Sequence, residues 1–324
     1  MPALRGTLVW RLIGLLALLV AGWVPEVPAE GSRTYRLEPV AVGDGVWMIE
    51  GGPGHFDRDN GGAIVNIGLI ETDQGVVLVD AGPSRAYGEA LQAAVRRTFG
   101  RPVQRVLLTH RHPDHVLGAQ VFPSERVCAA AGTRAVLAEE GQAMVDDLFR
   151  LLGDWMRGTR AVQPGCSLEA GTIDVDGRQL RILAAGGHSG AEGDWMVLDV
   201  ASDTLFAGDL VFSRRAPTTP HADLRRWRQA LTVIEALAPA RVIPGHGPLQ
   251  PGLKAVDDTR RWLDALEAGL WQAAAAGLSM GEALALPVDP AFAAWDQAGA
   301  EYVRSVNHLY PGIMARVLKG ESGP

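Results

Sequence analysis

Three histidines and one aspartate lie within six consecutive residues of this chain, in the segment HRHPDH at residues 110–115. Imidazole nitrogen and carboxylate oxygen are donors that zinc-type divalent cations bind in proteins. In an extended backbone His110 and His112 point to the same side, and the proline that follows redirects the chain toward Asp114 and His115. The whole chain has only 8 histidines, so this density favours a metal site over a polar surface loop. One short segment can therefore supply two neighbouring metal positions.

Three further donors follow, each at the end of an apolar run. His188 lies in GGHSG, Asp209 ends LFAGD and His246 lies in VIPGHG. In each segment a glycine precedes the donor, and glycine lets the backbone approach a metal closely because it has no Cβ. Taken singly, such segments are also typical of ordinary turns. Together with the first cluster they predict a set of seven donors.

The order of these donors resembles that of the metallo-β-lactamase-fold superfamily of metallohydrolases. The match consists of His-x-His-x-Asp-His followed by the three later donors, and it covers about residues 40–250, including the strand GVVLVDAG at residues 75–82. The resemblance implies a dinuclear site with one metal in each of two donor sets. One metal is expected on His110, His112 and His188, the second on Asp114, His115 and His246, with Asp209 bridging both.

The resemblance also implies a mechanism in which two cations roughly 3.5–4 Å apart share the attacking hydroxide. Asp114 is the predicted catalytic residue, since it would orient the hydroxide or take its proton. Two divalent ions are the expected cofactor, with Zn²⁺ favoured and iron and manganese left open by the donor types. No convincing Ser-His-Asp arrangement competes with this interpretation.

Two donor identities separate this chain from related families. Flavodiiron oxidoreductases carry Glu where His112 stands, and the most common class of true β-lactamases carries Cys where Asp209 stands. A bridging Asp is instead the pattern of glyoxalase II and of lactonases, so we expect hydrolysis of a small-molecule ester, thioester or lactone. The alternatives are a β-lactamase, a non-catalytic accessory protein of a dehydrogenase system and a metal-dependent oxidoreductase.

The amino-terminal residues 1–29 have the pattern of a secretory signal peptide. Arg5 and Arg11 flank or open the apolar run from Leu12 to Val24, and VPA at residues 27–29 is a small-residue cleavage site. The run is short of the ~20 residues that span a membrane, so we expect a periplasmic or secreted protein without stable membrane insertion. The net charge of −7 and the lack of a basic stripe argue against nucleic acid as a partner.

The remaining sequence alternates short apolar strands with amphipathic helices, which predicts an α/β fold. The resemblance implies a four-layer αβ/βα sandwich in a catalytic domain at residues 30–250. Residues 251–324 are predicted to form a helical C-terminal extension. Within the domain, strands are expected at 63–71 and 103–109, helices at 87–99, 131–157 and 223–237, and a loop at 158–171.

Several residues outside the donor set are candidates for the wall of the pocket. The glycine-rich loop at residues 51–62 is expected to overhang the metals or to form only a wide hairpin. Arg214 or Arg215 would meet an anionic substrate group unless both are simply solvated, and His221 and His308 are interpreted as structural.

Two properties bear on the compartment and the partners of the mature protein. Cys128 and Cys166 would meet oxidising conditions after export, either as a disulfide or as buried thiols. The signal peptide and the segments LEPV and NHLY resemble an exported subgroup, the quinoprotein relay zinc metallohydrolases. That resemblance implies a periplasmic quinoprotein oxidation system as a partner.

Overall fold

The computed structural model of the chain describes residues 34–190 and 193–323, so the predicted signal peptide lies outside the described residues. The described residues from Thr34 onward form one compact unit, and the domain boundary near residue 250 stays a prediction. None of the helices in this part of the chain is both long enough and apolar enough to cross a membrane.

The first sheet has seven strands arranged in chain order. Its first three pairings are antiparallel and its last three are parallel. The strands are β1 (Val40–Gly43), β2 (Val46–Ile49), β3 (Ile67–Glu71), β4 (Val76–Val79), β5 (Val103–Leu107), β6 (Val127–Ala129) and β7 (Cys166–Ser167).

The second sheet has five strands, in the order β12-β11-β10-β9-β8. Only the β11–β12 pairing is parallel. The strands are β8 (Gly171–Val175), β9 (Arg178–Ala184), β10 (Trp195–Asp199), β11 (Thr204–Phe206) and β12 (Arg241–Ile243).

Side-chain caps mark where two of the long helices begin. Ser84 caps the first helix by accepting a hydrogen bond from the backbone N–H of Tyr87, and Gly100 ends that helix at φ 63°. Asp223, where the sequence predicted the fourth helix to begin, caps that helix by accepting a hydrogen bond from the backbone N–H of Arg226. The helices are α1 (Arg85–Phe99), α2 (Pro113–Val116), α3 (Ala131–Leu152), α4 (Leu224–Leu237), α5 (Lys254–Ala275), α6 (Met280–Leu284) and α7 (Ala298–Leu318).

The two sheets pack face to face, with helices on both outer sides. Ile70 and Val79 of the first sheet and Ile182 and Phe206 of the second belong to one buried apolar cluster between the sheets. Gly68 permits this approach, because a Cβ at that position would lie 2.2 Å from the ring of Phe206. The outer faces pack against α1 and α3 on one side and against α4 and α5 on the other. The predicted four-layer sandwich is therefore confirmed.

Strand boundaries differ from the sequence predictions where side chains take over backbone partners. The strand predicted at 63–71 begins only at Ile67, because the backbone N–H of Gly51 donates to the side chain of Asn66 and the backbone oxygen of Ile64 lies 2.8 Å from Nδ1 of His246. Such bonds replace the ladder that a regular strand would need.

The loop predicted at 158–171 also contains β7, which pairs with β6. In that pairing Cys128 lies directly opposite Cys166 and forms a disulfide with it. The choice between a disulfide and buried thiols, which the sequence left open, is thereby resolved in favour of the disulfide. The bond ties the last parallel strand to its neighbour.

Candidate metal centre

All seven predicted donors meet where strands of both sheets end. β5 leads into His110 and His112, β9 into His188, β11 into Asp209 and β12 into His246. The short helix α2 begins directly after His112 and carries the remaining two donors. Strand ends are rigid, so the sandwich itself fixes the relative positions of the side chains.

The first donor group consists of His110, His112, His188 and Asp209, whose donor atoms all lie within 4.8 Å of one another. Nε2 of His110 lies 3.7 Å from Oδ2 of Asp209, and Nε2 of His188 lies 3.6 Å from the same oxygen. Nδ1 of His112 lies 4.0 Å from it. Three imidazole nitrogens and one carboxylate oxygen around one point form a donor set typical of zinc.

The second donor group consists of Asp114, His115 and His246. Nε2 of His246 lies 3.3 Å from Oδ2 of Asp114, and Nε2 of His115 lies 3.8 Å from that oxygen. Asp114 and His115 face this group because α2 turns the chain away from the extended path of β5. Apart from Asp209, the two groups contain the same residues as the two donor sets that the resemblance implied. Asp209, the expected bridging residue, is counted with the first group, and its contacts with both groups are described next.

Asp209 lies between the two groups and presents a different oxygen to each. Its Oδ2 faces the three imidazoles of the first group. Its Oδ1 lies 3.1 Å from Nε2 of His115 and 3.2 Å from Nε2 of His246. A carboxylate with one oxygen toward each group could contribute to a cation site on either side.

Asp80 orients two of the imidazoles from behind. Its Oδ2 lies 2.7 Å from Nδ1 of His115, and its carboxylate accepts hydrogen bonds from the backbone N–H and the hydroxyl of Thr109. Oγ1 of Thr109 in turn lies 2.9 Å from Nδ1 of His110. Partners on Nδ1 leave Nε2 of both rings facing the centre, as in carboxylate–histidine–metal arrangements.

Two other histidines, His188 and His246, are also held by residues outside the donor set. Nδ1 of His246 lies 2.8 Å from the backbone oxygen of Ile64. The carboxylate of Asp194 accepts hydrogen bonds from the backbone N–H groups of His188 and Ser189. Each of these contacts joins a donor to a different strand end or loop.

Burial and neighbouring charges set the protonation of the donors. Burial lowers the pKa of His110 well below its ordinary value, and the His115 ring lowers it further. Burial works to raise the pKa of Asp114, but the His115 and His246 rings outweigh it and lower this pKa to about 2. Burial likewise opposes the strong lowering of the Asp209 pKa that His246 and His115 cause. Burial works to lower the pKa of His115 and of His246, but the Asp209 carboxylate outweighs it and raises both. A bound cation would displace the protons of these two rings, because neutral imidazole and ionised carboxylate are the forms that bind metal.

Several donor atoms have no other partner. Nε2 of His110, His115 and His188 and Oδ1 of Asp209 are buried and make no hydrogen bond within the described residues. Buried polar atoms without partners are rare and costly. Their convergence on one small region fits a pair of divalent cations, so the residues present suit the predicted cofactor.

The donors open into a cavity of about 340 Å³. His112, Asp114, Asp209 and His246 reach its wall, and they share it with residues from the loop after β2, from α3 and from α7. Those other lining residues are His55, Phe56, Ile64, Pro113, Asp147, Arg215, Thr218, Pro220, His221 and Arg304. Of the two alternatives that the sequence left open for the glycine-rich loop at residues 51–62, the lining by His55 and Phe56 favours the one in which the loop borders the site.

The lining residues agree with the sequence predictions only in part. Of the two arginines that were candidates for the pocket, Arg215 lines the cavity and Arg214 is exposed. His221, interpreted as structural, also lines the cavity, and its ring centre lies 5.9 Å from that of His112. Asp80 was not singled out, although a carboxylate at the end of the run VVLVD is the same signal that identified Asp209.

Comparison with known protein families gives one family match. Residues 60–246 match the family described as the metallo-beta-lactamase superfamily. That range holds all seven donors and makes up more than half of the chain.

Curated relatives match the chain at moderate identity. The "Beta-lactamase-like protein 2 homolog" of Caenorhabditis elegans is 26% identical over 219 residues, which are 66% of this chain and 65% of the relative. The "Atrochrysone carboxyl ACP thioesterase" of Aspergillus fumigatus is 26% identical over 231 residues, which are 69% of this chain and 59% of the relative. The match thus spans somewhat less than two thirds of the length of each relative.

Among solved structures, a metallo-beta-lactamase from Pontibacter korlensis superposes with a TM-score of 0.55 at 24% sequence identity. The superposition covers 71% of this chain and 99% of that one. At this identity the likeness supports the fold.

Proposed function

Because the chain belongs to the metallo-beta-lactamase superfamily, we propose that it is a metal-dependent hydrolase of esters, thioesters or lactones. The observation that carries the proposal is the position of Asp209, whose two oxygens face the two donor groups. A fully converged set of seven donors next to a cavity is more than a simple metal-binding role requires. The relative described as a thioesterase supports the substrate class.

The residues of the cavity have different roles in such a reaction. When bound, two divalent cations polarise the substrate carbonyl and activate water as the nucleophile. Asp114 lines the cavity, so its carboxylate would orient the attacking water or take its proton. Asp80 and Thr109 keep the imidazoles in place. No Ser, Cys or Lys side chain lines the cavity in the part of the chain that the structure describes.

Zinc is the metal that we propose for both positions, since imidazole nitrogens dominate the donor set. Asp209 stands where the most common β-lactamases carry a cysteine ligand, which disfavours the β-lactamase alternative. Iron or manganese in the purified protein would instead support the oxidoreductase alternative.

We further propose that the mature protein is exported, with cleavage after Ala29. The Cys128–Cys166 disulfide supports this, because stable disulfides form mainly in oxidising compartments. A periplasmic quinoprotein system is the partner that the sequence resemblance suggests. Cell fractionation with amino-terminal sequencing of the exported protein tests the export, and a cytoplasmic full-length protein would contradict it.

The test of the activity is hydrolysis by zinc-loaded protein of a panel containing thioesters, aryl esters, lactones and a chromogenic cephalosporin. We expect turnover of at least one carbonyl ester class, loss of it on chelation and recovery with zinc. The variant His112→Ala removes a donor, and His308→Ala is a matched control because His308 is exposed and outside the donor set. Preferential turnover of the cephalosporin, or no turnover of any member, would contradict the proposal.

A further inference from the structure

The C-terminal extension contains a second, smaller pocket, and among the described residues it shares none of its lining with the cavity at the metal centre. Its volume is about 150 Å³, and its wall is formed by α5, by α7 and by residues 285–297, which join α6 to α7. We call it the aromatic pocket, because three of its lining side chains are aromatic. The lining includes Trp262, Leu266, Gly269, Leu286, Phe292 and Tyr302.

Trp262 brings to this wall a hydrogen-bond donor that has no partner. Only 2% of its surface is exposed, and its Nε1 makes no hydrogen bond within the described part of the chain. Its indole packs against Trp295, with 6.0 Å between ring centres and 15° between planes, and against Phe292, with 5.4 Å and 75°. These contacts fix the ring, and buried polar atoms without partners are rare and costly. A ligand with an acceptor atom would satisfy this N–H.

Gly269 keeps one side of the aromatic pocket open. It lies inside α5, and within a helix only proline is less favourable than glycine. Close packing does not require a glycine here, because a Cβ at position 269 would meet nothing within 4 Å. Gly269 is exposed and lines the pocket, so the missing side chain leaves room for a ligand to enter from solvent.

The segment at residues 285–297 is anchored at its far end to the loop after Asp209. The backbone N–H of Asp296 donates to the oxygen of Arg214 at 3.0 Å, and the N–H of Ala216 donates to the oxygen of Asp296 at 2.9 Å. The hydroxyl of Tyr302 donates to the backbone oxygen of Ala283 at 2.9 Å, which fixes a further part of the wall. The aromatic pocket is therefore formed in the absence of a ligand, as small-molecule sites usually are.

The lining favours an uncharged ligand with one aromatic ring. Asp289 is the only charged residue among the described lining residues, and its Oδ1 already accepts a hydrogen bond from the backbone N–H of Ala291 at 2.8 Å. An apolar cavity of about 150 Å³ holds a benzene-sized molecule. The rings of Phe292 and Tyr302 offer an aromatic ligand edge-to-face or offset contacts.

We propose that the aromatic pocket is a second ligand site, which binds a small uncharged aryl carbonyl compound. The ring of the ligand lies against Phe292 and Tyr302, and its carbonyl oxygen accepts the hydrogen bond that Nε1 of Trp262 has to offer. The pocket is separate from the donor groups, so the inference goes beyond the hydrolase proposal and does not depend on it.

The test measures the dissociation constants of acetophenone and of ethylbenzene for the full chain by ligand-observed NMR. The two probes are similar in ring and size, but only acetophenone has an acceptor oxygen. The wild-type protein should bind acetophenone about 5- to 10-fold more tightly, as expected for one neutral hydrogen bond. Trp262→Phe keeps a ring but removes the N–H, so the two constants should become equal. Trp271→Phe is the control, since Trp271 is also buried with an unpartnered Nε1 but does not line the pocket.

A second pair of variants tests whether the probes bind in this pocket. Gly269→Leu places a side chain in its opening, so both probes should bind about 10-fold more weakly. Gly312→Leu makes the same change at an exposed glycine inside α7, where a Cβ meets nothing within 4 Å, and should alter neither constant. No binding or equal constants in the wild type would overturn the inference. So would a preference for acetophenone that survives Trp262→Phe, or binding that Gly269→Leu leaves unchanged.

Discussion

Gly245 leaves room for the carboxylate of Asp209: a Cβ at position 245 would lie 2.1 Å from Oδ1 of Asp209. This distance is shorter than any real Cβ contact. The glycine before His246 is therefore needed for the position of the carboxylate that lies between the donor groups.

The variant Gly245→Ala should accordingly lose metal while the fold persists. The added methyl group must displace Asp209, so we expect bound zinc to fall below two ions per chain, measured by elemental analysis after gel filtration. Gly281→Ala is the control, since a Cβ there meets nothing within 4 Å. Two zinc ions per chain in Gly245→Ala would contradict the need for glycine at this position.

Asp80→Asn should weaken zinc binding without removing a donor. The change keeps the side-chain shape at a position with φ 65°, which Asn tolerates, but it removes the charge that faces His115. Losses of about 10- to 100-fold in metal affinity are typical for such partners. Competition with a chromophoric zinc chelator measures the affinity. Asp73→Asn, at an exposed position, controls for the charge change, and equal affinities in the two variants would argue against the role of Asp80.

The disulfide should contribute to stability and leave the metal centre unaffected. Cys128 and Cys166 are separated by 38 positions, and closing a loop of that size restricts the unfolded chain by about 4 kcal/mol in the chain-entropy model. We expect the double variant Cys128→Ser and Cys166→Ser to show a lower free energy of unfolding in urea, with two zinc ions still bound. Superimposable unfolding curves with and without the disulfide would contradict this expectation.

The sequence singles out the seven donors because four of them cluster in one segment after an apolar strand, and each of the other three follows an apolar run and a glycine. Strand ends converge in a packed sandwich, so residues far apart in the chain, such as His110 and His246, meet without any local signal between them. Whether Cys128 and Cys166 form a disulfide was not predictable in the same way. The strand that contains Cys166 has only two residues, and its pairing with the strand of Cys128 depends on the position of β6.

The wall of the cavity was the part that sequence patterns could not supply. Glu301 reads as one acidic residue of an amphipathic helix, yet it is fully buried beside Arg215. Likewise, nothing in the sequence distinguishes Arg215 from the exposed Arg214. The burial of Glu301 and Arg215 arises from the way in which the extension packs against the loop after Asp209. Such long-range packing leaves no periodic pattern in the chain.

The metal content of wild-type protein and of Asp209→Ala tests the central claim most directly. Elemental analysis of zinc-saturated protein after gel filtration should find two ions per wild-type chain and close to one in Asp209→Ala, with hydrolysis strongly reduced. Asp147→Ala, which removes a cavity-lining carboxylate outside the donor groups, should retain two ions. Two ions in Asp209→Ala, or less than one in the wild type, would contradict a dinuclear centre bridged by Asp209.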